Sequence, residues 1–280
     1  MKAISDTLDV SRSNLYDVQG KKRGPYRKPE DDALLPLIKE ITDARETSGY
    51  PRVTVRLNRV LAKLGKPRVN RKRVYRIMKQ NNLLLERHTA RPERVHEGKI
   101  ITLKSDMRWC SDIFEIGCWN SERVRVAFAM DCCDREMISY VATTAGINAE
   151  MVKDLMALAI EARFGKVDRV PHRIEWLTDN GSAFTAYEAR KFALQAGLAP
   201  CTTPVRSPES NGMAESLVNT IKRDYVHLNR LEDAATVMKL LPSWFEDYNE
   251  THPHKGLKML SPREYRQSLA ATPECSVNQG

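Results

Sequence analysis

No cysteine occurs in the first 109 residues, and the six that follow (Cys110, Cys118, Cys132, Cys133, Cys201 and Cys275) include no C-x-x-C pair. That scatter excludes a disulfide framework and a structural zinc module, since both need thiols at set spacings. His252 and His254 form the only close histidine pair, with no cysteine beside them. No run approaches the ~20 consecutive apolar residues of a membrane helix. The opening residues, MKAISDTLDVSRSN, lack the apolar segment of a signal peptide, so the expectation is a cytoplasmic protein without a membrane partner. Acidic residues are missing from one long stretch: between Glu46 and Glu86 there are eleven Lys or Arg and no Asp or Glu. A solvated helical surface normally mixes signs to gain i,i+4 pairs. This one is built to meet an anionic partner.

The basicity is local. Residues 1–100 carry 24 Lys+Arg against 12 Asp+Glu, whereas residues 101–280 carry 21 against 24, a net of −3. The charge split suggests a separate basic, nucleic-acid-binding module attached to something else. Residues 4–18 outline two short helices around a turn, with Ile4, Leu8 and Leu15 inward and Ser11 as a cap; a first helix is missing, so the helix-turn-helix is partial. The stretch KKRGPYRKP, 21–29, is a basic linker. Leu34, Leu37, Ile38 and Ile41 predict a helix that Gly49 stops. Leu57, Val60, Leu61 and Leu64 predict a second helix. A third, capped by Asn70, turns Val74, Ile77 and Met78 inward and leaves Arg71, Lys72, Arg73 and Arg76 outside as phosphate contacts.

After an aperiodic linker the pattern changes from helical to alternating. Strands are expected at 108–119, 123–133 and 137–144, joined by turns at Asn120-Ser121 and Asp134-Arg135. A helix follows at 148–165, capped by Asn148, then a strand at 173–179, a helix at 186–197, a short fifth strand and a long helix over 209–228. This describes a mixed five-stranded α/β sheet with flanking helices.

Three acids stand out. Asp112 lies inside the apolar strand WCSDIFEI, where a carboxylate is costly without compensation. Asp179 ends the strand in WLTDNGSAF, just before an Asn-Gly turn. Glu215 opens the last long helix, sharing a strip with Asn219 and Lys222 at spacings of four and seven. Each has an ordinary reading taken singly: an edge-strand charge, a turn aspartate, a partner for the helix dipole. Asp131 and Asp134 read as ordinary turn residues.

Together, Asp112, Asp179 and Glu215, the last pair separated by thirty-five residues, resemble the D, D-35-E triad of the retroviral-integrase superfamily. The blocks RSPESNGMAESLVNTIKRDY and YNETHPHKGLKMLSPREY resemble that family's third acidic block and closing motif. More narrowly, residues 30–270 resemble the second-frame (OrfB-type) insertion-sequence transposases of bacteria. The resemblance implies a ribonuclease-H-like core and DNA transposition by metal-dependent phosphodiester cleavage and 3′-hydroxyl strand transfer. It implies two Mg²⁺, with Mn²⁺ as a substitute, on Asp112, Asp179 and Glu215, with Asp112 bridging. Lys222, seven after the glutamate, becomes a DNA-end contact, with Asn219 and Arg223 beside it. The implied partners are double-stranded DNA (element ends and target), further copies of the chain on that DNA, and an upstream-frame helix-turn-helix protein, fused or separate, in the nucleoid.

The expected division is a partial helix-turn-helix (1–20), a basic linker (21–29), a helix-turn-helix DNA-binding domain (30–86), a linker (87–103), an integrase-like core (104–270) and a tail (271–280). Two other classes fit parts of the pattern: a nonenzymatic DNA-binding repressor, and a ribonuclease-H-type nuclease.

Overall fold

Where apolar and aromatic residues dominate on both alternating faces, as in RWCSDIFEIG and IEWLT, a strand largely buried on both faces is the stable outcome. The computed structural model, which describes residues 2–9, 28–86, 102–202 and 212–271, forms such strands at the centre of its larger unit. The chain divides into two compact units, Met1–Arg87 and His88–Gly280.

In the first unit, helix α1 (Lys2–Leu8) covers the start of the partial helix-turn-helix, with Ile4 and Leu8 exposed. The rest of that motif, Ser11 and Leu15 included, lies outside the described residues. A 3-10 turn (Pro29–Asp31) leads to α2 (Leu35–Ala44), α3 (Tyr50–Lys63) and α4 (Arg71–Gln80). Ile38, Val53, Leu57, Leu61, Val74, Ile77 and Met78 make the core of these three helices. Gly49 does not stop α2, which ends at Ala44. It is the N-cap of α3 in an extended conformation (φ −67°, ψ 161°), and Pro51 sits in the first turn, where its missing N–H costs nothing. Asn70 caps α4 as expected, its Oδ1 accepting the Arg73 N–H at 2.8 Å. The Asn58 side chain holds the α3–α4 connection by bonding both the N–H and the C=O of Val69.

In the second unit, β1 (Arg108–Gly117), β2 (Arg123–Asp131) and β3 (Met137–Thr143) form an antiparallel meander. Its tight turns place Ser121 and Arg135 at positive φ. Helix α5 (Ala149–Phe164) crosses to β4 (Ile174–Thr178), and α6 (Ser182–Thr185) with α7 (Tyr187–Gln195) crosses to β5 (Leu198–Thr202). β1, β4 and β5 are parallel, giving the sheet order β3-β2-β1-β4-β5. One face packs on α5 and α7 through Trp109, Ala129, Trp176, Leu155 and Ala193. The other packs on α8 (Gly212–Asp224) and α9 (Ala234–Glu250) through Cys110, Phe114, Phe128, Leu217, Trp244 and Tyr248. A fully buried aromatic of this kind contributes about 1.5–3 kcal/mol. Helix α10 (Pro262–Ala270), opened by the Ser261–Glu264 capping box, follows.

The strands and the long helix depart from the sequence reading at three further places. β2 ends at Asp131, two residues early, because its carboxylate accepts the N–H groups of Cys133 and Asp134 and turns the chain. Asp131 and Asp134 are fully buried rather than ordinary surface turn residues: Arg163, itself buried, lies in ion-pair range of Asp106, Asp134 and Glu136. The long helix expected over 209–228 breaks at Asp224 into a 3-10 turn, which leaves Leu228 exposed.

Candidate active site

Alternation along a strand decides which side chains meet. β1 and β4 pair in parallel as Arg108↔Glu175, Trp109↔Trp176 and Cys110↔Leu177. Carried two residues further, that same offset sets Asp112 beside Asp179. Both fall on the face of Cys110 and Leu177, the face covered by α8. Helix α8 buries Ala214, Leu217 and Ile221 against this face, which leaves Glu215, Asn219 and Lys222 on the flanking strip. Between α8 and β1 lies an open cleft of about 390 Å³, lined among others by Asp112, Phe114, Glu115, Glu215, Asn219 and Lys222.

The electrostatics join the third acid to the pair. Burial pushes the Asp112 carboxyl above its ordinary value. The Ile113 N–H, donated to Oδ1 at 2.7 Å, opposes this, and the negative charges of Asp179 and Glu215 add to the rise. Asp179 binds its own turn in the same way, its Oδ1 accepting the Gly181 N–H at 2.9 Å. Each aspartate thus engages one oxygen with the backbone. Among the described residues no cation forms an ion pair with any of the three acids, and no three His, Cys, Asp or Glu side chains gather closely enough to ligate a single ion. The sequence marked the carboxylates but not these two supporting N–H groups; the Asp-x-Gly spacing was their only local signal.

The expected DNA contacts separate into two groups. Lys222 and Asn219 line the cleft, and Arg71 and Lys72 are exposed on α4. Arg223 is half exposed and forks onto Asp224, with Nε–Oδ1 at 2.7 Å and Nη2–Oδ2 at 2.6 Å. Arg73 and Arg76 do not point outward as expected. Both reach Asp31, Arg73 through Nε at 2.7 Å, and Arg73 also meets Glu30 at 3.3 Å. His252 and His254 are buried in an aromatic group with Tyr248, and His252 Nε2 is 3.7 Å from Asp224. The five described cysteines are free thiols; Cys275 lies outside the described residues.

Residues 103–208 match a family model described as Integrase core domain, residues 196–262 match a second of the same description, and residues 29–91 match an HTH-like domain. A chain from the simian T-cell lymphotropic virus intasome in complex with PP2A regulatory subunit B56 gamma shares the fold. Its identity is 15%, its TM-score 0.51, and the match covers 85% of this chain and 76% of that one. A ribonuclease-H-like sheet with an integrase core, preceded by a helix-turn-helix-like unit, defines a DNA transposase or integrase. The chain is 48% identical over 276 residues to Transposase InsD for insertion element IS2A/D/F/H/I/K of Escherichia coli, covering 95% of this chain and 91% of that protein. It is equally similar to Transposase InsD for insertion element IS2-9 of Escherichia coli strain K12, of which it covers 89%. The chain belongs to this family of insertion-element transposases. No helix among the described residues is long and apolar enough to cross a membrane.

Proposed function

We propose that Asp112, Asp179 and Glu215 are the catalytic carboxylates of this transposase and hold two divalent cations, Mg²⁺ by preference and Mn²⁺ as a substitute. The observation that carries the reading is the β1–β4 pairing of Cys110 with Leu177, two residues before Asp112 and Asp179, on the sheet face packed against the helix bearing Glu215. The donor set fits a hard cation: carboxylate oxygens only, with one half-buried acid whose charge is opposed by its two neighbours. Asp112 would contribute to holding both ions and Asp179 and Glu215 to one each, so that each ion would need two carboxylates rather than three. When bound, such ions offset the negative charge that builds on a phosphate under attack and on the departing 3′-oxygen.

The chain's own residues do the rest. Asn219 and Lys222, on the same helix as Glu215, hold the DNA end over the acids, with Arg223 alongside. Water is the attacking group in donor cleavage and a DNA 3′-hydroxyl in strand transfer, so no protein nucleophile is invoked. Residues 30–86 grip DNA phosphates chiefly through Arg71 and Lys72, residues 104–270 form the catalytic domain, and residues 1–20 are part of a further helix-turn-helix. Joining two element ends to a target calls for more than one copy on the DNA. An upstream-frame helix-turn-helix protein, fused or separate, completes end recognition in the bacterial nucleoid.

The test uses labelled element ends, a plasmid target and Mg²⁺. Asp112→Asn, Asp179→Asn and Glu215→Gln each abolish cutting and joining while end binding persists. Cutting at near wild-type rate by any of them overturns the assignment. Wild-type protein that binds but never cuts supports a repressor instead, and digestion of RNA–DNA hybrids without insertion supports a ribonuclease.

A further inference from the structure

Asp179 poses a problem of support. It lies one residue beyond the end of β4, exposed, in a turn rather than in a strand. A ligand of Mg²⁺ must nevertheless hold its oxygen to within a few tenths of an ångström, because that ion demands near-octahedral geometry. Two features of Gly181 address this. Its N–H donates to Asp179 Oδ1 at 2.9 Å. Its bare Cα also faces the same carboxylate: a Cβ built there would lie 2.9 Å from Oδ1 and 3.6 Å from both Cγ and Oδ2, and these are its three nearest neighbours. The backbone of Gly181 (φ −58°, ψ 140°) is one that any residue adopts. Glycine is therefore not required by the local conformation. What a side chain would displace is the carboxylate.

We propose that Gly181 is a positioning residue for the catalytic carboxylate of Asp179. Its N–H anchors Oδ1, and its missing side chain lets the carboxylate fold back over the turn. The inference rests on Asp179 being a metal ligand. In Gly181→Ala the fold accepts the methyl group, because the contacted atoms are the end of a short movable side chain. The carboxylate swings away, and the defect appears in metal binding rather than in folding.

The experiment titrates Mn²⁺ into the full-length wild type, Gly181→Ala and Asp179→Asn, reading bound ion by electron paramagnetic resonance, with metal-free thermal unfolding in parallel. Gly181→Ala should melt as the wild type does without metal and bind Mn²⁺ about 10–100-fold more weakly, the range seen when a residue supporting a ligand is lost. Asp179→Asn should weaken binding at least as much. If Asp179→Asn weakens binding and Gly181→Ala does not, the positioning role is wrong while Asp179 keeps its assignment. If Asp179→Asn binds like the wild type, the ligand reading itself fails. A lowered metal-free melting temperature in Gly181→Ala also overturns the proposal, because it would mean that the fold, not the carboxylate, needs the glycine.

Discussion

The four cations opening α4 fall into two pairs, and paired substitutions separate their jobs. Arg71 and Lys72 are exposed, whereas Arg73 and Arg76 have side chains 23% exposed and converge on Asp31, 8% exposed. Each neutralised phosphate adds about 0.9 to the slope of log affinity against log salt. Arg71→Ala with Lys72→Ala should therefore flatten that slope by about 1.8, so that a rise from about 50 to about 200 mM salt weakens binding some twelvefold less than in the wild type. The unfolding midpoint should not move. Arg73→Met with Arg76→Met leaves the Asp31 carboxylate without its cationic partners, holding only the Lys28 N–H. Removing one side of a buried ion pair costs about 3–5 kcal/mol, reduced here toward about 2 by the partial exposure of both arginines. In a unit of this size that is a drop of about 8–16 °C. Fluorescence anisotropy on an end duplex reads the slope. Circular dichroism must read the melt, since all four tryptophans (109, 119, 176 and 244) lie in the other unit. Should the Arg73/Arg76 variant flatten the slope as much and melt like the wild type, the two arginines are phosphate contacts and the Asp31 clasp is incidental.

The buried cluster of the catalytic unit gives two more predictions. Arg163→Met leaves Asp106, Asp134 and Glu136 only the partly exposed Arg266, in ion-pair range of all three, and Arg263 on Glu136, so it should destabilise that unit by about 2–3 kcal/mol in urea unfolding; an unchanged midpoint would show that these arginines or self-neutralised carboxyls suffice. Burial first, then the neighbouring Asp134 charge, pushes the Asp131 carboxyl from 3.8 up to about 7. The folded state then holds a proton that the unfolded chain releases, so this group's contribution to stability is present below about pH 4 and is lost as pH rises toward about 7. Urea midpoints should fall between pH 5 and pH 8, and Asp131→Asn should flatten that fall; an equal fall in the variant assigns the effect elsewhere.

What could be read from the sequence was whatever depends on near neighbours. The Asn70 and Asn148 caps, the inward stripe of α5 and the existence of strand β1 all follow from residues near each other in sequence, and each is present in the structure. The three acids each have an ordinary local reading, and only their combined spacing, through the family resemblance, singles them out. Distant partners left no such mark. Nothing near Arg73 reveals Asp31, forty-two positions earlier, and nothing near Asp134 reveals Arg163, twenty-nine positions later, so both were taken for surface groups. Helix α9 had no assignment because Pro242 breaks its pattern in the middle. Gly49 was misplaced for another reason: the same residue type serves the end of one helix and the start of the next, and only Pro51 tips the choice.

The shared offset of β1 and β4 also says where this protein tolerates a change of length. One residue inserted between Cys110 and Asp112, or between Leu177 and Asp179, would turn an acid over to the α5 side of the sheet. An insertion in the hairpin tip around Ser121, or in the loop that follows α5, leaves both facings untouched. Natural or designed variation in length should accumulate at those loops, while the two short steps from the last paired residue to each aspartate stay frozen.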